Sequence, residues 1–107
     1  MFLKKSEVHL KMMSKIPIKE DLSKMSKDQI NNEILRAGMI AELDAINLYE
    51  QLAAMATDDD IKKILLDIAK EEKTHVGEFQ ALLLERDPEQ VKELEEGKKE
   101  VDEELGR

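Results

Sequence analysis

The sequence has no cysteine and no tryptophan, and its only aromatic residues are Phe2, Tyr49 and Phe79. Without thiols, disulfides, thiolate zinc sites and iron–sulfur ligation are excluded. Proline occurs twice and glycine four times, so few positions resist regular structure. No apolar run approaches the roughly 20 residues of a membrane span. The opening Met1-Phe2-Leu3-Lys4-Lys5 is followed by charge rather than by the apolar core of a secretory signal. A cytoplasmic location, without membrane contact, is the expectation. Basic charge is in deficit, with 17 Lys and Arg against 25 Asp and Glu and a net charge of −8. A nucleic-acid binder needs a basic face, so that class of partner is set aside.

What dominates instead is Leu, Ile, Ala, Met, Glu and Lys, a mixture that favours helix over strand. The expected fold class is all-α. A chain of 107 residues suits one small domain. Its core is modest, which makes oligomerisation a natural source of further stability. Residues 1–25 differ from the rest: Lys4, Lys5, Lys11, Lys15, Lys19 and Lys24 cluster there with His9, and Pro17 interrupts them. The helical period is weak in this stretch. It reads as a flexible N-terminal arm, ahead of a helical domain over residues 26–104.

Three start signals divide that domain. Ser26-Lys27-Asp28-Gln29 has the form of a capping box, in which Ser26 and Gln29 satisfy each other's backbone N–H groups. Helical residues then continue to about Thr57. Thr57-Asp58-Asp59-Asp60 combines cap-type residues with acids in a first turn, where the helix dipole favours them. The second helix extends to about Arg86. Asp87-Pro88 then gives a capping acid followed by proline at the first helical position. A short third helix is expected to about Glu104, interrupted by Gly97. Two helices of about 28–30 residues joined by so short a turn form an antiparallel hairpin. A hairpin alone leaves an apolar face uncovered, so a partner is expected.

In the second helix Ile61, Leu65, Ile68, Glu72, His75, Phe79 and Leu82 alternate at spacings of four and three, a stripe that faces a helical neighbour. Its middle two members are a carboxylate and an imidazole. Burying a carboxylate without a partner costs several kcal/mol, roughly, and a metal ion removes that cost. Glu72 and His75, three apart, can point at one centre. In the first helix Leu35, Glu42, Tyr49 and Ala56 repeat every seven, flanked by Met39, Ile46 and Ala53, and here Glu42 is the interruption. Glu42 lies 16 residues before Asp58 and Glu72 lies 14 after it. At about 1.5 Å per residue both are roughly 21–24 Å from the turn, so the hairpin brings them to one level.

A di-iron carboxylate bundle takes one Glu from each of two helices and Glu-x-x-His from each of the other two. This chain has one of each. Two copies about a two-fold axis would form a ferritin-like four-helix bundle with Glu42, Glu72 and His75 contributed twice. Mixed carboxylate and imidazole donors suit iron or manganese, with zinc as a further option. A lone Glu-x-x-His arises often by chance in charged helices, and a lone His in an apolar stripe is usually a hydrogen-bonded core residue. The matching Glu42 is what separates this chain from those cases.

Ile40-Ala41-Glu42-Leu43-Asp44-Ala45-Ile46-Asn47-Leu48-Tyr49-Glu50-Gln51, followed by Asp67-Ile68-Ala69-Lys70-Glu71-Glu72-Lys73-Thr74-His75, resembles the encapsulated ferritins. These are ferritin-like half-bundle proteins housed inside encapsulin nanocompartments. The similarity covers about residues 28–95 and is nearest to the archaeal type, in which such a domain is joined to an encapsulin shell protein. The resemblance implies a ferroxidase that oxidises Fe(II) with oxygen at a di-iron centre between two subunits. It also implies a decamer of five dimers, with the mineral stored in the shell. Glu42, Glu72 and His75 match the family's iron ligands and Tyr49 matches an aromatic near the centre. Two positions depart: Leu48 stands where members often have Trp, and Ala41 replaces one acid of an outer metal-uptake pair, leaving Asp44.

Tyr49 has two readings, a hydrogen bond to a ligand carboxylate or a core aromatic with a satisfied hydroxyl. Glu71 is expected in solvent, and Asp44, Asn47 and Gln51 share a face that reads as polar surface. Two other functions stay open on the residues alone. One is rubrerythrin-like peroxide reduction, against which stands the lack of the four cysteines its usual rubredoxin partner needs. The other is a helical adaptor whose Glu and His form a buried polar network without metal.

Overall fold

A computed structural model describes residues 25–107. Apart from Met25, the expected N-terminal arm lies outside the described residues. Those described form three helices, α1 (Lys27–Met55), α2 (Asp59–Arg86) and α3 (Pro88–Glu104), with no strand among them. None is long and apolar enough to cross a membrane.

Each helix begins where a side chain can satisfy its free N–H groups. The Gln29 backbone N–H donates to Ser26 Oγ at 3.1 Å, and the Ser26 N–H donates to Gln29 Oε1 at 2.9 Å, completing the capping box. Asp58 accepts from the Ile61 N–H at 3.0 Å and opens α2. Asp87 accepts from the Gln90 N–H at 3.1 Å, with Pro88 at the first position of α3, where its missing N–H costs nothing. Gly97 was expected to interrupt α3, yet the helix runs through it unbroken. Loss of a side chain there weakens helix propensity without blocking the hydrogen-bond ladder.

α1 and α2 pack side by side as the antiparallel hairpin, and α3 meets α2 chiefly at their junction. The interface is built from Leu35, Ile46 and Ala53 on α1 and Ala69 and Leu83 on α2, all buried. Burial of one such aliphatic side chain contributes roughly 1.5–3 kcal/mol. The seam differs from its expected course at both ends: Ile61 is 57% exposed and Leu82 47% exposed. They lie on the rim of the stripe, where no other described residue covers them. Asp44 also departs from the polar-surface reading, being buried and engaged in an interaction. Asn47 and Glu71 are exposed, both as expected.

One cross-helix contact sets the register. Gly38 on α1 faces the ring of Phe79 on α2. Four residues further along α1 is Glu42, and four residues back along α2 is His75. Antiparallel helices advance in step, so the first pair brings the second together one turn away.

Candidate metal centre

Three side chains converge at that level. His75 Nδ1 lies 3.2 Å from Glu42 Oε2 and 3.3 Å from Glu72 Oε2. Glu72 and His75 are three apart on α2, so the helix itself fixes their mutual geometry. Glu42 reaches across from α1. One donor atom from each residue can be chosen so that all three lie within 4.8 Å of one another.

The protonation arithmetic of this cluster is short by one. Ionised carboxylates only accept, and Nδ1 carries at most one proton. It can therefore donate to one of the two carboxylate oxygens, leaving the other facing a like charge. A cation placed among the three would accept lone pairs from all of them. Two carboxylates and an imidazole form a donor set suited to iron or manganese, so the residues present fit such an ion. The carboxylates are largely shielded, with side-chain exposures of 21% for Glu42 and 18% for Glu72, whereas His75 remains 44% exposed. The cluster thus opens at one edge of the hairpin, on the His75 side.

That edge is apolar above and below. Ile34 and Leu82, 54% and 47% exposed, lie toward the open end of the hairpin, and Ile61 and Ile64, 57% and 59% exposed, lie toward its turn. Ile34 and Leu82 line one shallow depression, Ile61 and Ile64 another. Helical spacing puts Ile61, Ile64, Ile68, His75 and Leu82 within about a sixth of a turn of one another. On the opposite side, Met39, Ile40, Leu43, Leu83, Leu84 and Leu94 form a second apolar groove, rimmed by Arg36.

Of the four residues singled out in the sequence, the structure brings together Glu42, Glu72 and His75. Tyr49 does not join them. It is half-buried on α1, seven residues beyond Glu42, or about 10 Å along the helix axis. Ala41 is half-buried, and Asp44, the remaining acid of the outer pair, points away from the cluster's side of α1 by helical phase and is buried. Two features escaped the sequence reading. Gly38 is in contact with Phe79, and Arg36 Nη2 donates to Asp87 Oδ2 at 3.0 Å, which ties the start of α3 to α1.

Comparison with known proteins places the chain. The EncFtn-like family model matches residues 17–100. A ferritin-like-encapsulin shell fusion protein of Pyrococcus furiosus is 65% identical over 74 residues, covering 69% of this chain and 21% of that protein. The encapsulin nanocompartment cargo protein EncC of Myxococcus xanthus is 37% identical over 73 residues, 68% of this chain and 55% of that protein. The chain therefore spans about a fifth and about half of these two relatives. A crystal structure of the encapsulated ferritin domain from Pyrococcus furiosus superposes with a TM-score of 0.74 at 55% identity, covering 89% of this chain and 97% of that one. The three-helix architecture and the resemblance to encapsulated ferritins agree with these matches, and the chain belongs to the EncFtn-like family.

Proposed function

We propose that this protein is a ferroxidase whose di-iron centre is assembled from two chains, each contributing Glu42, Glu72 and His75. One observation carries the reading: three donors from two helices converge within 4.8 Å at an edge flanked by exposed Ile34, Leu82, Ile61 and Ile64. That is half of the ligand set of a di-iron carboxylate bundle. A second hairpin related by a two-fold axis covers the apolar edge and supplies the other half.

Iron is the substrate: each Fe(II) gives up one electron, and oxygen receives the electrons. The rest is the work of the chain's own residues. To hold the ion, His75 would present the Nδ1 lone pair, which requires its proton to be on Nε2. Glu72, one turn away on the same helix, is positioned by α2 alone. Glu42 spans the gap between the helices, so both hairpin arms hold the substrate. Partial exclusion of water from the two carboxylates lowers the local dielectric and strengthens their hold on a cation. Tyr49, two turns along α1, is the nearest phenol on the stripe and is assigned to orienting a ligand carboxylate or water through its hydroxyl. The names of the relatives support an encapsulin shell as the partner and its interior as the location. The family pattern adds five dimers arranged as a decamer. Residues 26–104 then constitute the ferritin-like domain.

Anaerobic loading with Fe(II) followed by oxygen tests the reading. Catalysed oxidation is expected at about two irons per dimer, read by absorbance and oxygen consumption. Glu72→Ala removes a carboxylate that no other residue replaces, and oxidation at the wild-type rate in this variant would sink the proposal.

A further inference from the structure

Gly38 is the described glycine whose missing side chain is demanded by its surroundings. A Cβ built there would lie 2.9 Å from Phe79 Cε1 and Cζ and 3.1 Å from Cδ1. Gly77 and Gly97, by contrast, have nothing within 4 Å, and Gly106 sits at positive φ after α3. The Phe79 ring thus rests directly on the α1 backbone. Its position along the hairpin is one turn from Glu42 on one helix and one turn from His75 on the other.

The three donors are not equally constrained. Glu72 and His75 share α2, and their separation is set by one helix whatever the neighbour does. Glu42 arrives from α1, so its distance to the other two depends on how closely the helices approach. Phe79 on Gly38 constrains this approach one turn from the cluster, with buried Ile46 and Ala69 on its other side. We propose that Gly38 is a positioning residue for the metal centre: its lack of a side chain lets Phe79 set the α1–α2 spacing at which Glu42 can share an ion with Glu72 and His75. The proposal rests on the metal reading above and deepens it.

The scale of the effect follows from contact distances. Ordinary van der Waals contact begins at about 3.4 Å. A Cβ at 2.9 Å must therefore be relieved by roughly 0.5 Å or more, through separation of the helices or displacement of the ring. Metal sites hold their ligand distances to about ±0.2 Å. The part of that shift taken by the helices rather than by the ring falls on Glu42 and leaves the Glu72–His75 pair intact. Loss of a group that directly orients a ligand typically weakens metal binding about 10- to 100-fold, and that range is taken as the scale for displacing Glu42.

The test is Co(II) titration, followed by its visible absorption, of the full chain as wild type, Gly38→Ala and Gly38→Ala/Phe79→Leu, with far-ultraviolet circular dichroism on each. Gly38→Ala is expected to keep its helical signal and to bind Co(II) about 10- to 100-fold more weakly, with an altered spectrum as Glu42 withdraws. The double variant, in which the smaller side chain makes room for the added methyl, is expected to recover most of the affinity. A merely structural glycine would not show this rescue in the metal spectrum. Should Gly38→Ala lose its helical signal, the double variant decides alone, and failure to recover both fold and binding overturns the proposal. Wild-type affinity in Gly38→Ala also overturns it, while the metal reading stands. Wild-type protein that takes up no Co(II) refutes the metal reading and this proposal together.

Discussion

Replacing Ile64 with glutamate probes the edge on which the second chain is proposed to sit. Ile64 is 59% exposed and eleven residues from His75, about 16 Å along α2, so it touches none of the three donors. Fully burying an isoleucine contributes roughly 1.5–3 kcal/mol. With 59% of the side chain still open, about 1–2 kcal/mol remains to be gained on association. A two-fold axis makes the same change twice, which gives about 2–3.5 kcal/mol per dimer. At 1.4 kcal/mol per factor of ten, Ile64→Glu should weaken the dimer about 20- to 300-fold, before adding the cost of a desolvated carboxylate. Sedimentation velocity across a dilution series reads this directly, with and without Fe(II) under anaerobic conditions. Metal uptake should fall in parallel at protein concentrations where the variant is monomeric, although every ligand is present. An unchanged association midpoint refutes the assignment of this edge to the second chain. Dissociated variant chains that still bind metal with wild-type affinity refute the shared centre.

Two further expectations concern the helices themselves. Gly77→Ala and Gly97→Ala add a methyl where nothing lies within 4 Å, so each should stabilise its helix by about 0.8–1 kcal/mol and raise Tm by several degrees in thermal circular dichroism. A fall in Tm would mean that the open space at that glycine is occupied in solution. Asp87→Ala removes the acceptor for the Gln90 N–H and the partner of Arg36. The lost cap costs about 1 kcal/mol, and the ion pair adds little because Arg36 is 50% exposed. Amide exchange should quicken in the first turn of α3 while the centre of α1 and α2 is unaffected. Equal exchange in wild type and variant would show that the cap does not hold α3.

The helix boundaries were legible because their causes are local. Ser26 with Gln29, Asp58 with Ile61 and Asp87 with Gln90 each act across three residues, and such spacings can be read along a chain. The meeting of Glu42 with Glu72 and His75 was legible for a different reason: helical rise is constant, so equal distances from a turn imply equal height. What escaped depends on how each helix is rotated about its own axis and on what lies beside it. Spacing put Ile61 and Leu82 in the seam without indicating that their outer flanks are uncovered. Gly38 carries no side chain, so no pattern of side chains could mark its contact with Phe79. Arg36 and Asp87 are 51 residues apart, and no local rule pairs them. Asp44 looked like surface because neighbouring Asn47 and Gln51 are polar too, yet it is buried. Gly97 was given too much weight, since one weak residue in a helix capped by Asp87 and Pro88 does not end it.

If a second chain completes the centre formed by Glu42, Glu72 and His75, as proposed, the sharing has a consequence for how the protein answers to iron supply. With half a centre on each chain, the concentration of complete centres rises with the square of the free chain wherever association is incomplete. Metal binding and association are then linked, and each must favour the other by the same factor. Under the proposed function, Fe(II) would therefore act as an assembly factor for the machinery that consumes it. On that reading a solitary chain would be idle, and both a higher chain concentration and abundant iron would recruit it into service.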